Sequence, residues 1–362
     1  MPLAFEAYHH LSDDACAERI KSARERLGGR VLLLCHHYQR AEVYQHADLS
    51  GDSLKLSRFA AQSHAEFIVF CGVHFMAEVA DLLSAPEQTV ILPDMAAGCS
   101  MADMANLTKV KRCWRELSGL FDVETTVTPV AYINSSADLK AFCGDHGGIV
   151  CTSSNATAIA DWALASREKI LFFPDQHLGR WSGHQMGLDF DDMPVWDPDQ
   201  ELGGLTPEQV HNARFLLWKG HCSVHQMFQK HHIDNFRAKY PQGKAIVHPE
   251  CHFEVCDHAD HVGSTEYIVR IINEAPAGSR WLVGTELNLV KRLSQDMAVQ
   301  NKHVHFMADA VCMCSTMQRI DPQHLCWTLE NLVGGEVVNR ISVPPHEAES
   351  ARLTIERMLA VS

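Results

Sequence analysis

Three cysteines share a context that suits a metal centre: Cys99 in TVILPDMAAGCS (Thr89 to Ser100), Cys222 in FLLWKGHCS (Phe215 to Ser223) and Cys314 in VHFMADAVCMCS (Val304 to Ser315). In each, an apolar, strand-like run is followed by Gly or Ala and then Cys-Ser. Thiolates distant in sequence but equivalent in a repeat can meet on a pseudo-three-fold axis, giving a metal three protein ligands and one open position. A His or carboxylate in the set would favour zinc or non-haem iron, whereas three thiolates with no fourth favour an iron–sulfur cluster with one exposed iron. Such an iron is a Lewis acid for hydroxyl, carboxylate or imine nitrogen and assists loss of water. The chemistry expected is dehydration. Cys312 competes for the third place, and Cys314 is preferred because Ser follows it, as it follows Cys99 and Cys222.

A second dense group, Cys251, His252, Cys256, His258 and His261, has the residue types of a zinc site. Its spacings match no zinc pattern, and Cys256 to His258 falls in a helical stretch. Cys35, Cys71 and Cys151 lie inside apolar strands and read as small core residues.

The elements that must position the three thiols recur with them. A first strand gives VLLLCHHY (Val31 to Tyr38), PVAYINSS (Pro129 to Ser136) and KAIVHPEC (Lys244 to Cys251). A second leads into a helix in ADLSGDSLKLS (from Ala47), IVCTSSNATAIA (from Ile149) and HVGSTEYIV (from His261). A third gives FIVFC, ILFFP and RWLVG, beginning at Phe67, Ile170 and Arg280, and the fourth carries the cysteines. Continuous apolar strands imply burial on both faces and hence parallel sheets. With helical patterns between them, such as Ala17 to Leu27 and Leu289 to Met297, they predict α/β three-layer units. Polar residues at strand C-terminal ends then face the ligand crevice. The fold expected is three pseudo-three-fold-related αβα domains, each with a small, mainly parallel sheet, around a central cluster site. Its boundaries are an N-terminal helical segment over 1–27, domains over 28–122, 123–238 and 239–330, and a C-terminal helical tail over 331–362. The longer gap between the first two cysteines marks an insertion in the second unit, Ser182 to His211, rich in Asp, Gly and Pro and expected to be a surface excursion or lid-like loop.

The chain has 362 residues and a formal net charge of −14, which argues against nucleic acid or an anionic membrane as partner. No apolar run approaches the length of a membrane span. The first residues lack a basic-then-apolar signal pattern, so a cytoplasmic location is expected. There most of the 13 cysteines stay reduced.

At LCHHYQ, GDSLKLS, VAYINSSADLKA, CTSSNA, FPDQHLGR, WKGHCSVH, VHPEC, VGSTEYI, GTELNLVKRL and CSTM the sequence resembles the quinolinate synthase family, in order and from about residue 30 to the end. WKGHCSVH with VHPE and GST downstream is the most specific part. The resemblance implies three αβα domains around one [4Fe–4S] cluster on Cys99, Cys222 and Cys314. It implies that iminosuccinate (iminoaspartate) condenses with dihydroxyacetone phosphate to quinolinate, releasing phosphate and two waters. An aspartate oxidase or dehydrogenase would supply the iminosuccinate, and oxygen sensitivity is expected. The family's third ligand lies in a Cys-x-x-Met context, which Cys314-Ser-Thr-Met317 fits; some members carry Cys-x-x-Cys-x-x-Cys, from which Cys312-Met-Cys314 departs.

On that resemblance Glu250 is the expected general base, His248 and His36 proton shuttles, and Tyr38 an acid or donor to the condensing carbonyl. Tyr132 and Asn134 are expected to fix the iminosuccinate carboxylates. Ser53, Ser153, Ser264 and Thr265, at helix starts, are expected to bind carboxylate or phosphate, although a Ser or Thr there also serves as an N-cap. His225 would lie near the substrate or behind it. The open-iron argument alone also allows an aconitase-like hydro-lyase. A non-catalytic cluster or zinc redox sensor is disfavoured by the polar strand tips in every repeat.

Overall fold

The computed structural model describes residues 1–311 and 313–361, and its architecture follows from three runs of buried strands. The first sheet contains β1 (Val31–His36), β2 (Leu49–Gly51), β3 (Phe67–Cys71) and β4 (Thr89–Ile91), in the order β2-β1-β3-β4. The second contains β5 (Val127–Tyr132), β6 (Ile149–Cys151), β7 (Lys169–Phe173), β8 (Val195–Trp196) and β9 (Phe215–Trp218), in the order β6-β5-β7-β9-β8. The third contains β10 (Lys244–Val247), β11 (His261–Val262), β12 (Arg280–Gly284) and β13 (His303–Phe306), in the order β11-β10-β12-β13. Every pairing between these strands is parallel, and an isolated antiparallel bridge joins Ile91 of β4 to Arg340.

The repeat extends to register. Leu34 of β1 pairs with Leu49 and Phe70; Val130 of β5 with Ile149 and Phe172; Ile246 of β10 with His261 and Val283. Helices cover these sheets, so β3, β5 and β7 are buried at every residue, as their unbroken apolar sequences require.

The insertion differs from the loop expected. It holds short helices at Phe190–Asp192, Glu201–Gly204 and Pro207–Asn212, and its strand β8 extends the second sheet beside β9. Trp196 explains the difference: its side chain is buried, and Gly203, at φ +64°, lies against its ring. An aromatic anchor of that size converts an excursion rich in Gly, Asp and Pro into packed structure.

The chain forms two compact units. One comprises Met1–Cys99, Glu286–Arg292 and Cys312–Val343 and carries the first sheet. Within it, helices Asp13–Leu27 and Pro322–Val333 pack together, with Arg19 Nε donating to Glu330 Oε1 at 2.8 Å. The other comprises Ser100–Thr285, Leu293–Val311 and Pro344–Ser362 and carries the second and third sheets. Its C-terminal helix, Pro345–Val361, packs on helix Ala137–Asp145. Beneath β10 and β12, Phe228, Ile233, Val247, Val255 and Leu282 form a core in which each large apolar side chain contributes about 1.5–3 kcal/mol. Among the described residues no helix is long and apolar enough to cross a membrane.

Candidate active site

In the larger unit, the ends of β5 and β10 deliver two polar side chains to one buried point. Tyr132, the last residue of β5, donates its hydroxyl to Glu250 Oε1 at 2.7 Å. Glu250 follows β10 through His248-Pro249, where the ring of Pro249 restricts the backbone. The other carboxylate oxygen, Oε2, lies 2.8 Å from His225 Nδ1 and 3.8 Å from His248 Nδ1. The two imidazoles stack with centroids 4.6 Å apart. His225 Nε2 lies 3.2 Å from the Thr285 hydroxyl, and Gln226 Nε2 donates to the Glu250 carbonyl at 3.0 Å.

These groups have little contact with water, and burial together with their neighbours sets the protonation of His248 and Glu250. Burial outweighs the Glu250 charge at His248 and lowers its pKa to about 3, so the imidazole is neutral at neutral pH. Burial alone would raise Glu250; His248, His225 and the Tyr132 hydroxyl reverse that and hold the carboxyl below its ordinary range. A second carboxyl, Asp175, is fully buried after β7. Burial and then the Glu250 charge push it well above its usual value, against backbone N–H groups of Leu178, His177 and Cys222. Its Oδ1 caps helix Gln176–Gln185 by accepting from His177 N at 2.6 Å and Leu178 N at 3.0 Å. Two carboxyls driven in opposite directions give one proton acceptor and one proton donor at the same pH.

Cys222 belongs to this site. Ligating atoms of Cys222, His225 and Glu250 all lie within 4.8 Å of one another, a group able to hold a metal ion. The loop that carries Cys222 is fixed from both sides: the Gly220 carbonyl accepts from Gln176 N at 3.1 Å, and Trp218 Nε1 donates to the Met104 carbonyl at 2.9 Å.

Ser153 and Ser264 line one cavity of 770 Å³ in the same unit, beside Pro249 and Arg270. Ser264 caps helix Thr265–Glu274 by accepting from Tyr267 N at 3.4 Å, and Thr265 is its first residue. Asn134 follows β5 with a buried Oδ1 that has no hydrogen-bond partner among the described residues.

In the smaller unit, the residues after β1 are held by a separate network. His36 Nδ1 accepts from Tyr38 N at 3.1 Å, and the two rings meet edge-on with centroids 4.6 Å apart. Asn288 Nδ2 donates to the Tyr38 carbonyl at 3.2 Å, and Arg292 Nη1 to the Gln39 carbonyl at 2.6 Å. Glu286, raised to about 7 mainly by burial, accepts from Asn288 N at 2.7 Å and from Cys314 N at 3.4 Å. Ser53 is the first residue of helix Ser53–Gln62, whose cap is Asp52.

Of the twelve described cysteines, Cys99, Cys222 and Cys314 alone are partly exposed, and the other nine are buried. Burial raises the thiol pKa of Cys35, Cys113, Cys151 and Cys251, and that of Cys71 to about 12, which leaves them inert. Cys312 lies outside the described residues. The Cys251–His261 group is not assembled as a metal site: the Cys256 thiol donates to the His248 and Cys251 carbonyls, His258 Nε2 pairs with Asp234 at 2.7 Å, and His261 Nδ1 lies 3.3 Å from the Tyr267 hydroxyl.

Glu250, His248 and Tyr132, singled out from the sequence, meet at one buried point, whereas Asp175, Thr285 and Glu286 were not singled out. Each sits one or two residues beyond a strand of the third equivalent class (β7 or β12), so the strand-tip rule applied to first strands would have found them in FPDQ and GTEL.

Comparison with known proteins adds a second line. The family model described as "Quinolinate synthetase A protein" matches residues 18–360. A quinolinate synthase of Herpetosiphon aurantiacus is 53% identical over 359 residues, covering 99% of this chain and 95% of its own. One from a Nocardioides species is 56% identical over 358 residues, covering 97% and 90% respectively. One from Corynebacterium glutamicum is 53% identical over 358 residues, covering 98% and 90%.

Proposed function

The chain belongs to the quinolinate synthetase A family, enzymes of NAD biosynthesis, and from that premise we propose that it condenses iminosuccinate with dihydroxyacetone phosphate to give quinolinate, phosphate and two waters. The observation that carries this reading is the buried Glu250 carboxylate, held by Tyr132 and His225 beside a partly exposed cysteine. Carbon–carbon bond formation needs an enamine, made by taking a proton from the carbon next to the imine of iminosuccinate. Glu250 is the base for that step. It is ionised at neutral pH, and its second oxygen adjoins two imidazoles through which the proton can move.

Asp175, pushed toward its protonated form by burial and the Glu250 charge, is the proton source of this site. Asn134, whose buried carbonyl has no partner among the described residues, and Tyr132 orient the iminosuccinate carboxylates. Ser153, Ser264 and Thr265 supply hydroxyl and backbone donors for carboxylate or phosphate. His36, Tyr38 and Ser53 complete the assignment as a shuttle, a donor and an anion contact.

The donor set fits the family's [4Fe–4S] cluster. Cys99, Cys222 and Cys314 are partly exposed, while the remaining described cysteines are buried. When bound on those three thiolates, the cluster supplies Lewis acidity toward a substrate oxygen and assists loss of water.

The Cys222, His225 and Glu250 group favours one other reading, a single-ion site. Metal analysis separates the two. Protein purified without oxygen is expected to hold about four iron and four sulfide per chain. The Cys99→Ala, Cys222→Ala and Cys314→Ala variants should each lose them, together with quinolinate formation. One zinc per chain, retained when Cys99 or Cys314 is replaced, would establish the single-ion site instead.

A further inference from the structure

On the outer side of helix Gln176–Gln185, a 560 Å³ cavity is lined by His177, Arg180, Phe190, His252, Phe253 and Glu254. None of these side chains belongs to the machinery assigned above, although the backbone N–H of His177 donates to Asp175 Oδ1. Phe190 comes from the insertion in the second repeat, which thus supplies one wall of the cavity.

Two groups here lack the partners that their chemistry calls for. Arg180 is half-buried, and among the described residues its guanidinium makes no hydrogen bond or ion pair; its Cζ lies 5.7 Å from the centre of the Phe190 ring. Burial lowers its pKa with no carboxylate to offset the effect, in a chain with 14 excess negative charges. His177 is more than nine-tenths buried, and its Nδ1, shut off from water, has no hydrogen-bond partner among the described residues. A buried polar atom such as His177 Nδ1 is costly to leave unpaired unless a ligand satisfies it. Burial also holds His177 at a pKa of about 3, so at neutral pH it is an uncharged imidazole with one N–H to give.

The remaining walls are flat. Phe190 and Phe253 meet edge-on with centroids 4.8 Å apart, and His252 meets His177 edge-on at 4.9 Å. Glu254 is exposed at the rim and solvated. A guanidinium, a neutral N–H donor and three aromatic faces are complementary to a planar ring that bears an anionic group. We infer that this cavity is a second small-molecule site, distinct from the Glu250 centre, for an aromatic carboxylate or a ring-borne phosphate held by Arg180 and His177 between Phe190 and His252.

The test is a ligand-observed NMR titration of the full chain with benzoate, benzamide and inorganic phosphate. Benzoate should bind saturably and at least ~10-fold more tightly than benzamide, which lacks the charge, or phosphate, which lacks the ring. Arg180→Gln and Phe190→Ala should each weaken benzoate at least ~10-fold, while Tyr132→Phe leaves it unchanged. Phe190 is 54% exposed, so its truncation leaves the fold intact, and melting temperatures check Arg180→Gln. Equal binding of benzamide or phosphate, no saturation, or wild-type affinity in both cavity variants overturns the inference. So does loss of binding in Tyr132→Phe alone, which places the ligand at the Glu250 centre. The readout is binding, so the result is independent of the reaction assigned above.

Discussion

Tyr132 and Glu250 are 118 positions apart, yet the tyrosine hydroxyl donates to the carboxylate at 2.7 Å from the end of an equivalent strand in the neighbouring repeat. The bond links the second sheet to the third at the proposed reaction centre, and both partners are buried. A buried carboxylate that accepts from a phenol and lies against an imidazole is held ionised without water.

Replacing Glu250 with Gln keeps the shape and removes the base. Turnover should fall by roughly 10²–10⁴-fold, the usual contribution of a positioned base. Tyr132→Phe should cost less in turnover and should move the acid limb of the rate profile to higher pH. The sign follows from the bond: the phenol favours the ionised carboxylate, so its removal raises the Glu250 pKa. An acid limb that stays in place in Tyr132→Phe would show that the phenol does not set the charge of Glu250.

Gly220 controls where Cys222 sits. A Cβ there would lie 2.1 Å from the Pro174 carbonyl oxygen, a backbone atom that cannot yield as a side chain can. Gly220→Ala should therefore displace the loop, with an overpacking cost of about 1–3 kcal/mol. Iron per chain in anaerobically prepared protein should fall several-fold. Undiminished iron would show that the loop accommodates the methyl group without moving Cys222.

Much of this was legible in the sequence because period and chemistry coincide. Unbroken apolar runs such as Val31 to Cys35 and Phe215 to Trp218 identify strands buried on both faces, and all three repeats give the same strand order. Glu250 and His248 were legible because a strand ends and polar residues begin. Asp175 was not. Its carboxyl is perturbed by complete burial and by the Glu250 charge, and neither is visible in the local string FPDQ. The insertion was misread because its Gly, Asp and Pro content signals a loop, whereas Trp196, which seats it against the second sheet, is one residue among thirty.

His177 makes a separate prediction about acid stability. Its pKa is about 3 in the folded chain and ~6.5 when unfolded, so below pH ~6.5 the unfolded chain binds the extra proton. Stability is then lost as pH falls from ~6.5 toward 3, by about 1.4 kcal/mol per pH unit for this group. His177→Gln removes the titration and should flatten the fall in melting temperature between neutral pH and pH ~5. An unchanged slope would mean that the imidazole is solvated and protonates in the folded chain.

The C-terminal helix is held by a contact that leaves no room for a side chain. Gly144 lies in helix Ala137–Asp145, where a Cβ would come 2.3 Å from the Ser350 carbonyl oxygen of helix Pro345–Val361. The Ser350 hydroxyl reinforces the contact by donating to Asp145 Oδ1 at 2.5 Å. Because the clash is between two backbones, Gly144→Ala must separate the helices and lose the packing of Ala351, Ile355 and Met358, all fully buried. The gain in helix propensity from Gly to Ala, about 1 kcal/mol, works in the opposite direction. The buried apolar contacts at risk, about 1.5–3 kcal/mol for each of the larger two side chains, outweigh it. Gly144→Ala should therefore lower the melting temperature by several degrees and expose the C-terminal helix to limited proteolysis, with cleavage mapping to 345–361. A melting temperature at or above the wild-type value would show that propensity wins and that the helices pack with slack.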